Sequence, residues 1–238
     1  MPKKLLVVGA HSADFVWRSA GTIAVTTSRG GTATVLSLSY GERGESGDLW
    51  AGNPNQTVEN VKRIRHEMAA EAASHVGADF KCLDLGDYPL VITDEAMNQL
   101  VSIIAEDKPD VILTHTATDP FNPDHPVAYQ AVQQARLLAS GAGVASAFKS
   151  ITPPVWYLFE PHQPELSGFM PDTFIDITPV MDQKLAAMKV MSAQGYLIEY
   201  YTELASRRGN HARRISGNKQ VRYAEALQRM VPLVIEAL

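Results

Sequence analysis

Three residues of this 238-residue sequence have the types and spacing to hold one metal ion. His11 and Asp14 follow directly on the apolar run Leu5-Leu6-Val7-Val8-Gly9-Ala10, and His125 lies far downstream in a stretch rich in proline and aspartate. All three sit where a strand has ended or a helix is about to begin. An imidazole and a carboxylate on one tight turn can reach a single ion. A second imidazole from a distant loop then completes the three protein ligands of a catalytic zinc site, which keeps one position open. Taken by itself, His-x-x-Asp also fits a helix cap or a satisfied polar pair.

The elements that must position these residues follow from the apolar pattern. Leu5 to Ala10 is a continuous apolar run without alternation, as in a strand buried on both faces. A helix is expected over 15–27, then a β-branched strand over 32–40 that runs into the glycine-rich, charged loop 41–47. A long amphipathic helix over 58–76 stops at Gly77, as a helix does at a C′ glycine. A strand over 80–85, a helix over 94–106 and a strand over 110–114 ending at His115 come next. The loop 116–126 carries prolines and aspartates that cannot continue a strand, and a helix over 127–139 follows. Further strands are expected at 154–159 and 174–177, helices at 181–192 and 197–205, a basic loop at 207–214, and a closing helix over 221–238. Alternating strands and helices predict an α/β fold: one Rossmann-like domain spanning 1–238, its mostly parallel sheet covered by helices on both faces. In such sheets ligands bind beyond the carboxyl ends of the strands, which is where His11, His115 and the loops 41–47 and 116–126 fall.

Composition narrows the classes. A formal net charge of −5 argues against general nucleic-acid binding. The single cysteine, Cys82, cannot form an internal disulfide, which suits a reducing cytosol, and it reads as a small buried hydrophobe. No apolar segment approaches the roughly 20 residues of a membrane span, and Lys3-Lys4 with a run this short does not make a signal peptide. A cytoplasmic protein without a membrane partner is expected. Gly9-x-His11 lacks the glycine pattern of a dinucleotide-binding turn.

Several stretches resemble one superfamily. His11-Ser12-Ala13-Asp14 with Gly21-Thr22-Ile23-Ala24 looks like the opening motif of the LmbE-like, or PIG-L, zinc deacetylases. Asn122-Pro123-Asp124-His125 resembles their His-Pro-Asp-His motif. Phe174-Ile175-Asp176-Ile177, Lys184 and Ser192-Ala193-Gln194 resemble their C-terminal pattern. The resemblance spans roughly residues 4–195 in order. It implies an LmbE-like fold, bound zinc (or another divalent metal), and His11, Asp14 and His125 as its ligands. Two departures stand out. The position of the deacetylase general base is Ala13, and the first histidine of His-Pro-Asp-His is Asn122. General acid–base groups contribute about 10²–10⁴-fold to rate, so amide hydrolysis by the usual route is not expected.

His11-Ser12-Ala13-Asp14-Phe15-Val16-Trp17-Arg18, Gly41-Glu42-Arg43-Gly44-Glu45-Ser46 and Leu85-Gly86-Asp87-Tyr88-Pro89-Leu90 resemble the 4-oxalomesaconate hydratase branch, which serves gallate and protocatechuate breakdown. This implies a hydro-lyase acting on a small anionic polycarboxylate. A replacement base is then needed. Glu42 or Glu45 is expected to supply it, with Glu42 favoured as nearer the strand end, although solvated loop charges are the alternative for both. His162 is a candidate acid. Arg43, Arg18, His115, Asn122, Arg208 and His211 are candidate substrate contacts, since arginine binds carboxylates bidentately. The basic stretch 207–214 can equally be solvated surface, a lid, or a contribution to a neighbour in a homo-oligomer, the assembly expected here. The rival functions are an LmbE-type N-deacetylase and a catalytically silent anion-binding homologue. His66 and His75 read as structural, and Trp50 and Tyr88 as packing residues that could line a pocket.

Overall fold

The computed structural model describes residues 3–144 and 149–235. The chain forms one seven-stranded sheet, ordered β3-β2-β1-β4-β5-β7-β6. Its strands are β1 (Lys4–Gly9), β2 (Thr32–Ser37), β3 (Asp79–Cys82), β4 (Val111–Thr114), β5 (Val155–Phe159), β6 (Thr173–Asp176) and β7 (Ala224–Arg229). The first five are parallel, and β7 is antiparallel to both β5 and β6. The apolar run of β1 is central and feeds two cores. Leu5 and Val7 pack with α1 (Asp14–Arg18), α2 (Ala20–Ser28), α4 (Val58–His75), α7 (Met181–Val190) and α8 (Leu197–Ser216) on one face. Leu6 and Val8 pack with α5 (Asp94–Asp107) and α6 (Asp124–Leu138) on the other. A short α3 (Gly47–Ala51) lies between β2 and α4. Thr57 and Thr93 cap α4 and α5 through their side chains, and Gly77 follows α4 in the left-handed conformation (φ 71°), as its sequence position requires. No helix among the described residues is long and apolar enough to cross a membrane.

From β1 the chain winds outward to β2 and β3, then returns to place β4 on the other side of β1. The carboxyl ends of β1 and β4 therefore flank the crevice where the winding reverses, the place where such sheets bind ligands.

Three expectations are corrected. The helix expected over 15–27 is two helices broken at Ser19 (φ −147°). The break frees the first N–H groups of α2, and Glu225 on β7 takes them: its carboxylate accepts from Gly21 N at 2.9 Å and Thr22 N at 2.7 Å. The basic loop 207–214 is helical, part of α8. Gly209 permits close packing there, since a Cβ would lie 2.0 Å from the Arg222 carbonyl oxygen. The closing helix expected over 221–238 is instead the strand β7, with 236–238 outside the described residues. Ala-Glu-Ala-Leu-Gln-Arg favours helix intrinsically, but the slot between β5 and β6 overrides that preference.

The Glu225 carboxylate also meets Lys184 Nζ at 2.6 Å, and the ammonium donates to the Trp17 carbonyl at 2.8 Å, so α1, α2, α7 and β7 meet in one buried ion pair. Removing one partner of a buried pair leaves an unmet charge, at a cost of about 3–5 kcal/mol. Glu225→Ala is expected to lower the free energy of unfolding by that amount, read in equilibrium chemical denaturation as a lower midpoint with the slope unchanged.

Candidate active site

The turn after β1 is built around Asp14. Its Oδ2 accepts the His11 N–H at 2.7 Å, and Gly9 leaves it room, since a Cβ there would lie 3.0 Å from the Asp14 Cβ. His125 enters on the first turn of α6. Glu45 enters from the loop after β2. One donor atom from each of His11, Asp14, Glu45 and His125 lies within 4.8 Å of the others. His11 Nδ1 is 3.6 Å from Asp14 Oδ2 and 3.2 Å from Glu45 Oε1, and His125 Nε2 is 3.5 Å from Asp14 Oδ1. Both of these imidazole nitrogens are buried without a hydrogen-bond partner. Buried polar atoms are rarely left so. Two of them turned toward two carboxylates is the donor set expected of a site for a divalent cation.

The opposite nitrogens fix the rings. His11 Nε2 meets Asp124 Oδ2 at 3.2 Å, and His125 Nδ1 meets Asp119 Oδ2 at 2.8 Å. Carboxylates behind ligating imidazoles set the tautomer and strengthen the ligand. Asp124 also accepts from Tyr88 N and Leu90 N, at 3.0 and 2.8 Å, which ties the loop before α5 to His11.

The electrostatics ask for positive charge. Burial lowers the affinity of His11 for a proton, but the carboxylates of Glu45, Asp124 and Asp14 outweigh it and raise its pKa well above the ordinary value. Burial raises Asp14 and Glu45, yet the neighbouring imidazoles prevail, holding Asp14 well below its usual range and Glu45 at about 2. Protons on the imidazoles thus answer the same demand that a bound cation would.

Of the remaining residues singled out from the sequence, several converge here. Asn122 Nδ2 donates to Glu45 Oε1 at 3.0 Å. Arg18, buried, brings its Nε to 3.6 Å from Asp14 Oδ1 and its Nη1 to the Glu160 carbonyl. His162 lines the cleft and stacks on Tyr200. His115 lies beneath the cluster, its Nε2 accepting the Ala10 N–H at 3.0 Å and its ring stacked on His125 at 3.9 Å. Burial, reinforced by His125, holds its pKa at about 3.

Four residues are placed elsewhere. Glu42, favoured over Glu45 from the sequence, is fully buried beside Lys62 (3.8 Å) and Arg43 (3.9 Å) and does not line the cleft. The two glutamates of this loop meet different groups: Glu45 reaches His11 and Asn122, and Glu42 reaches Lys62 and Arg43. Arg43 is half exposed and donates to the Asp87 carbonyl, outside the cleft. Arg208 is consumed by a bidentate pair with Glu160 on the flank of α8, and His211 is its neighbour there. Sequence reasoning missed Asp119, Gln194 and Tyr201 as site residues. Asp119 sits six positions before His125 in the same loop, a spacing that marks it as a partner for that ring only once the loop is known to fold back. The cleft, about 250 Å³, opens between the loop 41–47, the loop 116–126 and the start of α8.

A model of the PIG-L family, described as GlcNAc-PI de-N-acetylase, matches residues 6–136. A 4-oxalmesaconate hydratase from Pseudomonas putida strain KT2440 is 43% identical over 239 aligned positions, covering 99% of this chain and 92% of the relative. The crystal structure of GalB, the 4-carboxy-2-hydroxymuconate hydratase of Pseudomonas putida KT2440, superposes with a TM-score of 0.96 at 43% identity, covering 99% of both chains. N,N′-diacetylchitobiose deacetylase from Pyrococcus horikoshii shares the fold at 20% identity, with a TM-score of 0.79 over 96% of this chain and 84% of its own.

Removing a ring nitrogen from the cluster and removing the carboxylate behind it should differ in degree. His125→Ala is expected to abolish stoichiometric binding of a divalent metal. Asp119→Asn should keep the site but weaken affinity by about 10–100-fold. Competition with a chromogenic chelator, with circular dichroism to check the fold, measures both.

Proposed function

Because the chain belongs to the PIG-L family, matched by that family's model and by a full-length relative, we propose that it catalyses the reaction of the hydratase branch. In this reading it adds water to the carbon–carbon double bond of a small unsaturated keto polycarboxylate, 4-oxalomesaconate or its enol tautomer. It is a hydro-lyase and not an amidase. One observation carries the choice: the carboxylate facing the metal-ligand cluster is Glu45 from the β2 loop, while position 13 presents a methyl group to the core, fully buried. A site arranged like the amide hydrolases that Ala13 departs from would have its base on the β1 turn.

His11, Asp14 and His125 would hold zinc, their orphaned nitrogens and depressed carboxylate fitting a dication. When bound, such an ion lowers the pKa of a coordinated water to about 7 and withdraws charge from a keto-acid oxygen. Glu45 is the carboxylate that faces the cluster and would take the proton, and Asn122 and Gln194 steady its two oxygens at 3.0 and 3.5 Å. As the water oxygen bonds one alkene carbon, its proton passes to Glu45. The π pair of an alkene conjugated to the keto group moves onto the keto oxygen as an enolate. A proton delivered to the neighbouring carbon restores the ketone, so the sum is one H and one OH added. His162, which lines the cleft, is the side chain proposed to deliver that proton. Burial and the Arg18 charge lower its pKa, so it would carry the proton only transiently, taking it up and passing it on within the cycle. Arg18 is the guanidinium at the cleft wall for a substrate carboxylate. Asn122, where the deacetylases carry histidine, serves as a hydrogen-bond donor and not as a proton carrier.

Glu45→Gln is expected to retain metal and fold while losing about 10²–10⁴-fold in kcat, whereas Glu42→Gln, remote from the cleft, should stay within about threefold of the parent. Loss of ultraviolet absorbance of 4-oxalomesaconate follows turnover. Acetate release from N-acetylglucosamine derivatives in its place would favour the deacetylase reading.

A further inference from the structure

Tyr88 stands at the mouth of the cluster in a conformation its residue type disfavours. Its φ is 47°, in the left-handed region that non-glycine residues seldom occupy. Such outliers persist where surrounding structure enforces them, and they gather at functional sites. Here the enforcement is specific. The Tyr88 N–H is held by Asp124, the residue behind His11. The preceding side chain, Asp87, accepts from Arg43 N and from Gly44 N (2.7 Å), locking this loop to the one that carries Glu45.

The ring lies directly on Gly44. A Cβ at that position would come within 2.1 Å of one ring carbon and 2.6 Å of Cζ, the carbon bearing the hydroxyl. Glycine at 44 therefore lets the phenol end settle beside Glu45. The ring centroid is 6.1 Å from that of His11, and the side chain lines the same cleft as Asp14, Glu45 and His125. The side chain is 40% exposed, and the phenol makes no hydrogen bond to a protein group among the described residues. These contacts hold the unfavourable backbone in place and leave the phenol facing the cleft with no protein group to consume it among the described residues.

From this geometry, and resting on the hydratase reading, we propose that Tyr88 is a further catalytic residue: its phenol donates a hydrogen bond to the substrate oxygen that becomes the enolate. Tyrosine is protonated at neutral pH and is a donor at once rigid and uncharged. Neutrality matters beside Glu45, where a lysine or arginine would pair with the base and disable it. Held in place by Gly44 below and Asp124 behind, the donor needs no reorganisation when charge develops, which is the condition under which such donors accelerate reactions.

Tyr88→Phe keeps the ring, its seat on Gly44 and the backbone contacts, and removes one oxygen. Removal of one such donor typically costs about 10²–10³-fold in kcat. A fall of at least about tenfold in kcat on 4-oxalomesaconate is expected, with KM changed less than about threefold and with metal content and melting temperature unchanged. Gly44→Ala, which keeps the hydroxyl but displaces the ring, should lower kcat in the same direction. A Tyr88→Phe enzyme within about twofold of the parent in kcat overturns the proposal. Parallel calorimetric titration of the metal-loaded proteins with oxalate, which presents vicinal oxygens as an enolised keto acid does, separates this failure from failure of the hydratase reading. If the parent hydrates nothing yet binds oxalate, a loss of affinity in Tyr88→Phe supports the donor role, and equal affinity overturns it. If the parent neither hydrates nor binds, both the reading and the proposal fall.

Discussion

A carboxylate buried as deeply as that of Asp14 must be met by donors or cations, and most of the site is the means of meeting it. It accepts the His11 N–H, approaches His115 and Arg18, and faces the unpartnered nitrogen of His125. These partners come from the ends of β1 and β4, from α1 and from α6. Charge cannot be removed from this point without the turn after β1 losing its shape, so the arrangement of the candidate ligands and the local fold are one constraint. The reversal of winding between β1 and β4 is what brings the two strand ends close enough to share it.

Around that carboxylate the site is supported in depth by groups that need not touch substrate. Asp119 and Asp124 hold the imidazoles from behind, and Asp124 in turn holds the loop that carries Tyr88. Asp87 joins that loop to the one carrying Glu45. On the far side of α1, Lys184 and Glu225 fix the helix end that begins at Asp14. The sheet edge thus supplies rough placement, and a set of buried carboxylates accepting backbone N–H groups supplies the rest. Carboxylates suit that task because each offers two oxygens and several lone pairs, so one side chain can tie two segments together.

What could be read from the sequence tracks how local each cause is. His11, Asp14 and His125 were legible because strand ends and helix starts are marked by short-range pattern, and because a metal needs particular residue types. Glu42 against Glu45 was not legible. Both are glutamates on one loop, and the backbone between them is fixed by the N–H groups of Arg43 and Gly44 donating to Asp87, more than forty residues away in sequence. Arg208 illustrates the same limit: its cluster of like charges suggested an anion partner, and the partner is Glu160 of the same chain. The strand β7 was hidden by its own composition. Alanine, glutamate and leucine read as helix until the vacancy between β5 and β6, and the unmet N–H groups of α2, assign them another role.

The balance of charge across the cleft bears on how a polyanion can enter it. Asp14, Glu45 and Asp119 line the cavity, and Arg18 is the one lysine or arginine among the described lining residues. Without a cation the cavity repels a tricarboxylate. A dication at the ligand cluster with Arg18 cancels the charge of those three carboxylates, and no surplus is left to trap substrate or product. Recognition must then come largely from neutral donors: Asn122, Gln194 and the hydroxyls of Tyr88, Tyr196 and Tyr201. In the proposed reaction, neutral donors would orient the substrate carboxylates without neutralising Glu45, and they would hold product less tightly than a ring of arginines. A hydration runs close to equilibrium and must release a product nearly as charged as its substrate. For the proposed hydration, a site poor in fixed cations would suit that release, with a dication held by His11, Asp14 and His125 supplying the concentrated positive charge.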